Sequence, residues 1–120
     1  MSKKPTKVAL TEKLSQFSDY FAPRTVAEFN GHDVMVTKLK GPFTWHSHAD
    51  TDDFFLVLTG ELDIQLRDGT VTLGPGELFV VPRGVEHRPV ARDEVHVMLI
   101  EATGTPNTGD PRTAAPRRRV

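Results

Sequence analysis

The stretch Gly41–Gly60, GPFTWHSHADTDDFFLVLTG, decides how this chain is read. It holds two of the five histidines, His46 and His48, two positions apart, and aspartates at 50, 52 and 53. If Trp45 to His48 is extended, the two-residue period of a strand points both imidazoles to one face. Asp53 stands just before a continuous apolar run, Phe54 to Leu58, which reads as a buried strand ending at Gly60. A third histidine, His87, arrives later, behind the Pro-x-Gly turn at residues 82–84. Three imidazoles and a carboxylate are a ligand set for a divalent metal, if the fold brings them together.

Outward from this stretch the chain reads as strands. Leu62, Ile64 and Leu66 alternate with Glu61, Asp63, Gln65 and Arg67, a half-buried strand, and Asp68-Gly69 turns it back into Val71 and Leu73. Gly74-Pro75-Gly76 is a loop, Leu78 to Val81 a buried strand halted by Pro82, and residues 87–91 and 95–100 are two further strands. On the N-terminal side, residues 25–29 and 33–40 form a hairpin across Asn30-Gly31, and Gly41-Pro42 ends its second strand. Upstream, Thr11 is a candidate N-cap, and Leu14, Phe17 and Phe21 are spaced for one short amphipathic helix stopped by Pro23. The expectation is an all-β sandwich or barrel of about eight or nine short strands behind that helix, spanning residues 11–101. Residues 1–10 are expected to be flexible. Residues 102–120, rich in Pro, Thr, Gly and Arg, are expected to run from extended to disordered, with arginines 117–119 read as a solvated terminus.

Composition narrows the function. At 120 residues the chain is one domain. A formal charge of -1 implies neither a nucleic-acid partner nor an anionic membrane surface. No cysteine is present, which removes disulfides and thiolate metal sites and leaves any metal to imidazole and oxygen ligands. No apolar run approaches the roughly 18 residues of a membrane span. The N-terminus has no signal-peptide apolar region. A soluble, cytoplasmic protein is expected.

The two histidine segments together resemble the motifs of the cupin superfamily. Its first motif runs from a glycine through His-x-His to an acidic residue and a closing glycine; Gly41, His46, His48, Asp53 and Gly60 fill it. Aspartate stands where glutamate is usual, and one residue fewer separates Gly41 from His46. Gly76, Pro82, Gly84 and His87 match the second motif, with Ala91 where an asparagine often stands. The resemblance covers roughly residues 41–91. It implies a jelly-roll β-barrel, or double-stranded β-sandwich, and makes His46, His48, Asp53 and His87 the ligands of one divalent transition metal, of which Fe, Zn, Mn and Ni are candidates. Aspartate reaches about 1.5 Å less far than glutamate. Asp53 therefore binds directly in a shifted pose, acts through water, or leaves a three-histidine site. Asp50 and Asp52 are alternatives, but Asp52 has the wrong strand parity if Asp53 faces inward.

Other residues are weighed against the same site. His32, beside the hairpin glycine, is expected to face solvent. His96 shares a face with Met98 and Ile100 and is expected to be structural. Phe43 and Trp45 alternate against the histidines, Phe55 shares parity with Asp53 and could wall a cavity, and Arg83 and Arg88 read as surface residues. Small single-domain cupins are often labelled mannose-6-phosphate isomerase-like, a label that describes a shared barrel. Two functions follow from the resemblance. One is a metal-dependent enzyme acting on a carbonyl- or hydroxyl-bearing metabolite, of isomerase, lyase or dioxygenase type. The other is a module that binds or senses a small ligand. A homodimer is also expected, with residues 10–30 contributing, since an open sandwich leaves edges to cover.

Overall fold

The hydrophobic period changes from three-to-four residues to two near Pro23, and the architecture follows it. The computed structural model describes residues 5–112 and 114–120; among these, one helix precedes eight strands. They are α1 (Leu10–Leu14), β1 (Arg24–Phe29), β2 (His32–Pro42), β3 (Asp53–Thr59), β4 (Leu62–Leu66), β5 (Gly69–Leu73), β6 (Leu78–Val81), β7 (His87–Ala102) and β8 (Arg118–Arg119). The long β7 joins two layers. One of its edges pairs with β2. The other pairs with β4 over residues 87–90 and with β3 over residues 96–100. β5 extends the β4 side and β6 the β3 side, giving an all-β jelly-roll.

Alternation along the strands fills the space between the layers. β3 buries Asp53, Phe55 and Val57, and β7 buries Val95, Val97, Leu99 and Glu101. Met35, Val57, Leu62, Ile64, Val95 and Val97 have 0% exposure. Each such aliphatic contributes about 1.5–3 kcal/mol. Asn30 and Gly31 both take positive φ, 50° and 74°, as the tight hairpin turn between β1 and β2 requires.

Several elements depart from the sequence expectation, among them Leu78–Val81, expected as a buried strand, where only Val81 is buried and Leu78 and Val80 are exposed. The helix is shorter, running from Leu10 to Leu14 behind Ala9 with no side-chain cap, so neither the Thr11 cap nor the stop at Pro23 applies. Leu14 and Phe17 pack on Val36 outside the main core, whereas Phe21 leaves that line, takes a φ of 56° and stacks on Phe43 at 5.1 Å. One helix cannot serve both places. The segments 87–91 and 95–100 are one continuous strand: Ala91 pairs with Gly41 and Val95 with Leu39, so the polar residues 92–94 bulge out opposite Lys40 instead of forming a loop. β2 likewise continues through Gly41 to Pro42.

Beyond Ala102 the chain returns to the outer edge of β1, and Arg117, expected in a solvated terminus, is held against the sheet. β8 pairs in parallel with β1, Arg24 beside Arg118. Arg117 is half-buried; its guanidinium donates to Asp33 at 2.9 Å, to Glu101 at 3.1 Å and to the Thr105 carbonyl. No helix of the described residues is long and apolar enough to cross a membrane.

Candidate metal centre

The segment 43–52 is not a regular strand; Phe43 N–H donates to the Pro89 carbonyl, and His46 forms a single bridge to His87. His46 N–H donates to the His87 carbonyl at 3.1 Å, and His87 N–H to the His46 carbonyl at 2.9 Å. This pair brings two histidines 41 positions apart into contact, their rings 4.3 Å apart. Gly84, at a φ of 80°, donates its N–H to the His48 carbonyl at 2.8 Å and ties the second turn to the first. His48 follows His46 onto the same side, ring to ring 5.1 Å, as parity requires. Asp53 enters at the first position of β3, facing inward beside Phe55.

All four side chains are buried, and one ligand atom from each lies within 4.8 Å of the others. Asp53 Oδ2 is 2.8 Å from His87 Nε2, 3.3 Å from His48 Nε2 and 4.0 Å from His46 Nε2. The short arm of aspartate is no obstacle to reaching this cluster, because its own strand begins there. Asp52 points the other way, exposed, and accepts from the Arg83 N–H at 2.9 Å. Asp50 is exposed.

The donor set fits a divalent metal on two observations. His46 Nδ1–H donates to the Thr44 carbonyl at 2.9 Å and His87 Nδ1–H to the Val85 carbonyl at 3.0 Å. A carbonyl can only accept, so these bonds place a proton on each Nδ1 and turn each Nε2 to the centre, the preparation usual for metal-bound histidines; His87 Nε2 stands at hydrogen-bond distance, 2.8 Å, from Asp53 Oδ2. Second, His48 Nε2 is buried with no partner of hydrogen-bond geometry, its 3.3 Å contact with Asp53 lying off the bond direction. Donors across an ion with bonds of about 2.1 Å stand about 4.2 Å apart, a few tenths inside the observed spread.

Electrostatics favour the ligand-competent forms at His46 and Asp53. Burial pushes His46 down to about 4, outweighing its bond to Thr44, so the ring is neutral at physiological pH. Burial works against ionisation of Asp53, but the close His48 ring and the hydrogen bond from His87 overcome it and hold the carboxyl at about 2. His48 is raised: burial opposes its charge, but Asp53 outweighs burial.

Beside the cluster lies a cavity of about 40 Å³, walled by Phe21, Leu39, Phe43, Phe55 and Leu99, with His46, Asp53, Thr37, Glu101 and Asn107 as its polar members. Phe55 faces it, as its parity anticipates. Phe43 also lines it, standing edge-on to His46 at 5.3 Å. Trp45 turns outward, under Arg67 at 3.8 Å and Arg88 at 5.5 Å. Arg88 donates to Gln65, and Arg83 is exposed beside Asp52. His32 is exposed, its ring bonded to the Asn30 carbonyl. His96 lies on the other side of β7 with Glu94, 2.7 Å away, and does not reach the site.

The residue that sequence reading missed is Glu101, 4% exposed and lining the cavity. Burial and the neighbouring Asp53 charge push its carboxyl up to about 7. A signal was available: Glu101 continues the inward parity of Val95, Val97 and Leu99. Thr37, 1% exposed, was equally hidden in an apolar strand.

The family pattern of the cupin domain, Cupin_2, matches residues 34–103, more than half of the chain. The chain is 33% identical over 89 residues to the uncharacterized protein YdbB of Bacillus subtilis (strain 168), covering 73% of this chain and 76% of that one. It is 43% identical to a cupin-2 domain containing protein of Shewanella frigidimarina, with a TM-score of 0.78 over 79% of this chain and 93% of that one. Protein NMB1881 of Neisseria meningitidis is 28% identical, with a TM-score of 0.74 over 82% of this chain and all of that one, 100%. The two motifs, the jelly-roll and these matches agree, and the chain belongs to the cupin family as a small single-domain member.

Proposed function

We propose that this protein is a small metal-dependent enzyme of the cytoplasm, acting on a carbonyl- or hydroxyl-bearing metabolite in an isomerase, lyase or dioxygenase type of reaction. The observation that carries this reading is the cluster of inward-facing imidazole nitrogens around Asp53 Oδ2, two of them set by backbone carbonyls and the third, on His48, lacking a partner. His46, His48, Asp53 and His87 would hold one Fe, Zn, Mn or Ni ion. Bound there, a divalent metal supplies Lewis acidity towards a substrate oxygen. The chain does the rest. Phe21, Phe43 and Phe55 keep water from the reacting face. Glu101 carries a proton to and from the substrate at its carboxyl oxygen.

Elemental analysis of the purified protein, followed by turnover on a panel of small carbonyl and hydroxyl compounds, tests the reading. One transition metal per chain is expected, lost in the H46A/H48A double variant while the β signal in circular dichroism is kept. Chelation is expected to abolish turnover and metal addition to restore it. A protein that takes up none of the four metals would overturn the proposal, and ligand binding without turnover would assign a binding role instead.

We also propose a homodimer. The outer face of β3, β6 and β7 carries Phe54, Leu56, Leu78, Val80, Met98 and Ile100, with Leu78 55% and Val80 41% exposed. A second copy of the same apolar face is the occupant that fits it.

A further inference from the structure

Thr37 Oγ1 and His48 Nε2 are the two buried side-chain polar atoms without a hydrogen-bond partner among the described residues. The second faces the metal centre. The first lies on the inner face of β2, 1% exposed, and lines the same cavity. A valine would have the same shape with no group to satisfy. No described residue answers this hydroxyl, and the cavity it lines is where a partner would enter.

The cavity restricts what that can be. Its volume of about 40 Å³ is well below the roughly 150 Å³ that admits a benzene ring, which points to a short aliphatic ligand. No lysine or arginine is among its lining residues, and the nearby Arg117 is engaged with Asp33 and Glu101. A metal would neutralise charge at its own end only. At the Thr37 end a phosphate or carboxylate would be buried with no counter-charge, in a cavity that already holds Asp53 and Glu101.

We infer that the substrate is a short aliphatic compound with two oxygen functions, one met by the metal centre and the other, uncharged, bound by the Thr37 hydroxyl. This rests on the metal-dependent reading above and adds the substrate class and a specificity-determining residue. On this inference sugar phosphates are not the substrates, whatever label small cupins carry.

The test uses the full-length protein loaded with zinc and titrated in nuclear magnetic resonance with three probes: hydroxyacetone, acetone and dihydroxyacetone phosphate. Hydroxyacetone is expected to bind more tightly than acetone and the phosphate least. T37V is expected to weaken hydroxyacetone about tenfold, the worth of one hydrogen bond, and to leave acetone unchanged. T37S, which keeps the hydroxyl, should restore the preference. The melting temperature of T37V should equal or exceed that of the wild type, because an unpaired buried hydroxyl has been removed. A preference unmoved by T37V, tighter binding of the phosphate, or no binding of any probe would overturn the inference. So would a lower melting temperature with unchanged selectivity, the mark of a structural water. Zinc content is measured in parallel. Failure of the wild type to retain zinc counts against the metal-dependent reading, while the Thr37 anchor is still judged by the T37V difference on the zinc-free protein.

Discussion

Glu101 shows how burial turns an ordinary side chain into a participant. Removed from water beside Asp53, its carboxyl is pushed from 4.5 up to about 7, so the folded chain holds a proton that the unfolded chain has released. The sign follows from linkage. A group that binds its proton more tightly when folded contributes stability that is present below about pH 4.5 and is lost as pH rises towards 7. The full span corresponds to at most about 3 kcal/mol. In chelator-treated protein, E101Q is expected to flatten this decline, read from urea unfolding at pH 4.5, 6 and 7. An equal decline in the variant would show that Glu101 is not its source. The inward parity of Glu101 could be read from sequence, as could that of His46, His48 and Asp53. The proximity of Glu101 to Asp53 could not, because 48 residues separate them and no local rule sets that distance.

The elements show where local signals suffice and where they do not. The turn at Asn30-Gly31 and the alternation of β4 were legible, since both depend on neighbouring residues; the turn between β4 and β5 falls one residue earlier than Asp68-Gly69, at Arg67-Asp68, with Gly69 already paired to Leu66. The end of α1 was not legible. Leu14, Phe17 and Phe21 keep a helical spacing, but five helical residues have little stability of their own, and the destinations of their side chains decide where the helix stops. Gly60 belongs to this scale too. It leaves β3 at a φ of 88°, and a Cβ there would stand 2.9 Å from the Glu94 carbonyl oxygen and 3.1 Å from Val95 Cα. Both the backbone conformation and the rigid neighbour oppose a side chain. G60A is expected to cost about 1–3 kcal/mol in chemical denaturation. G41A, also at positive φ but with open space around its Cβ, should cost less. Equal costs would mean that the contact with β7 is unimportant.

For the molecule as a whole, the apolar outer sheet face and the free edge of β6 are exposed in a single copy. Sedimentation at micromolar concentration is expected to give a mass twice the 13.3 kDa of one chain. L78E/V80E should shift it to the monomer with the strand content intact; within residues 10–30, Tyr20 and Phe29 are also exposed, at 39% and 62%. A wild-type mass near 13.3 kDa would reject the dimer. By itself, the sequence determined the all-β class, most strand positions and turns, the cupin motifs and the identity of the four candidate ligands, because period, turn chemistry and spacing act over a few residues. Only the tertiary structure decided that His46 and His87 are bridged through their backbones, that Thr37 and Glu101 share a cavity with Asp53, and that Arg117 reaches back to Glu101. These depend on how the kinked β7 closes two layers over one core, and such closure is set by packing between residues far apart in the chain.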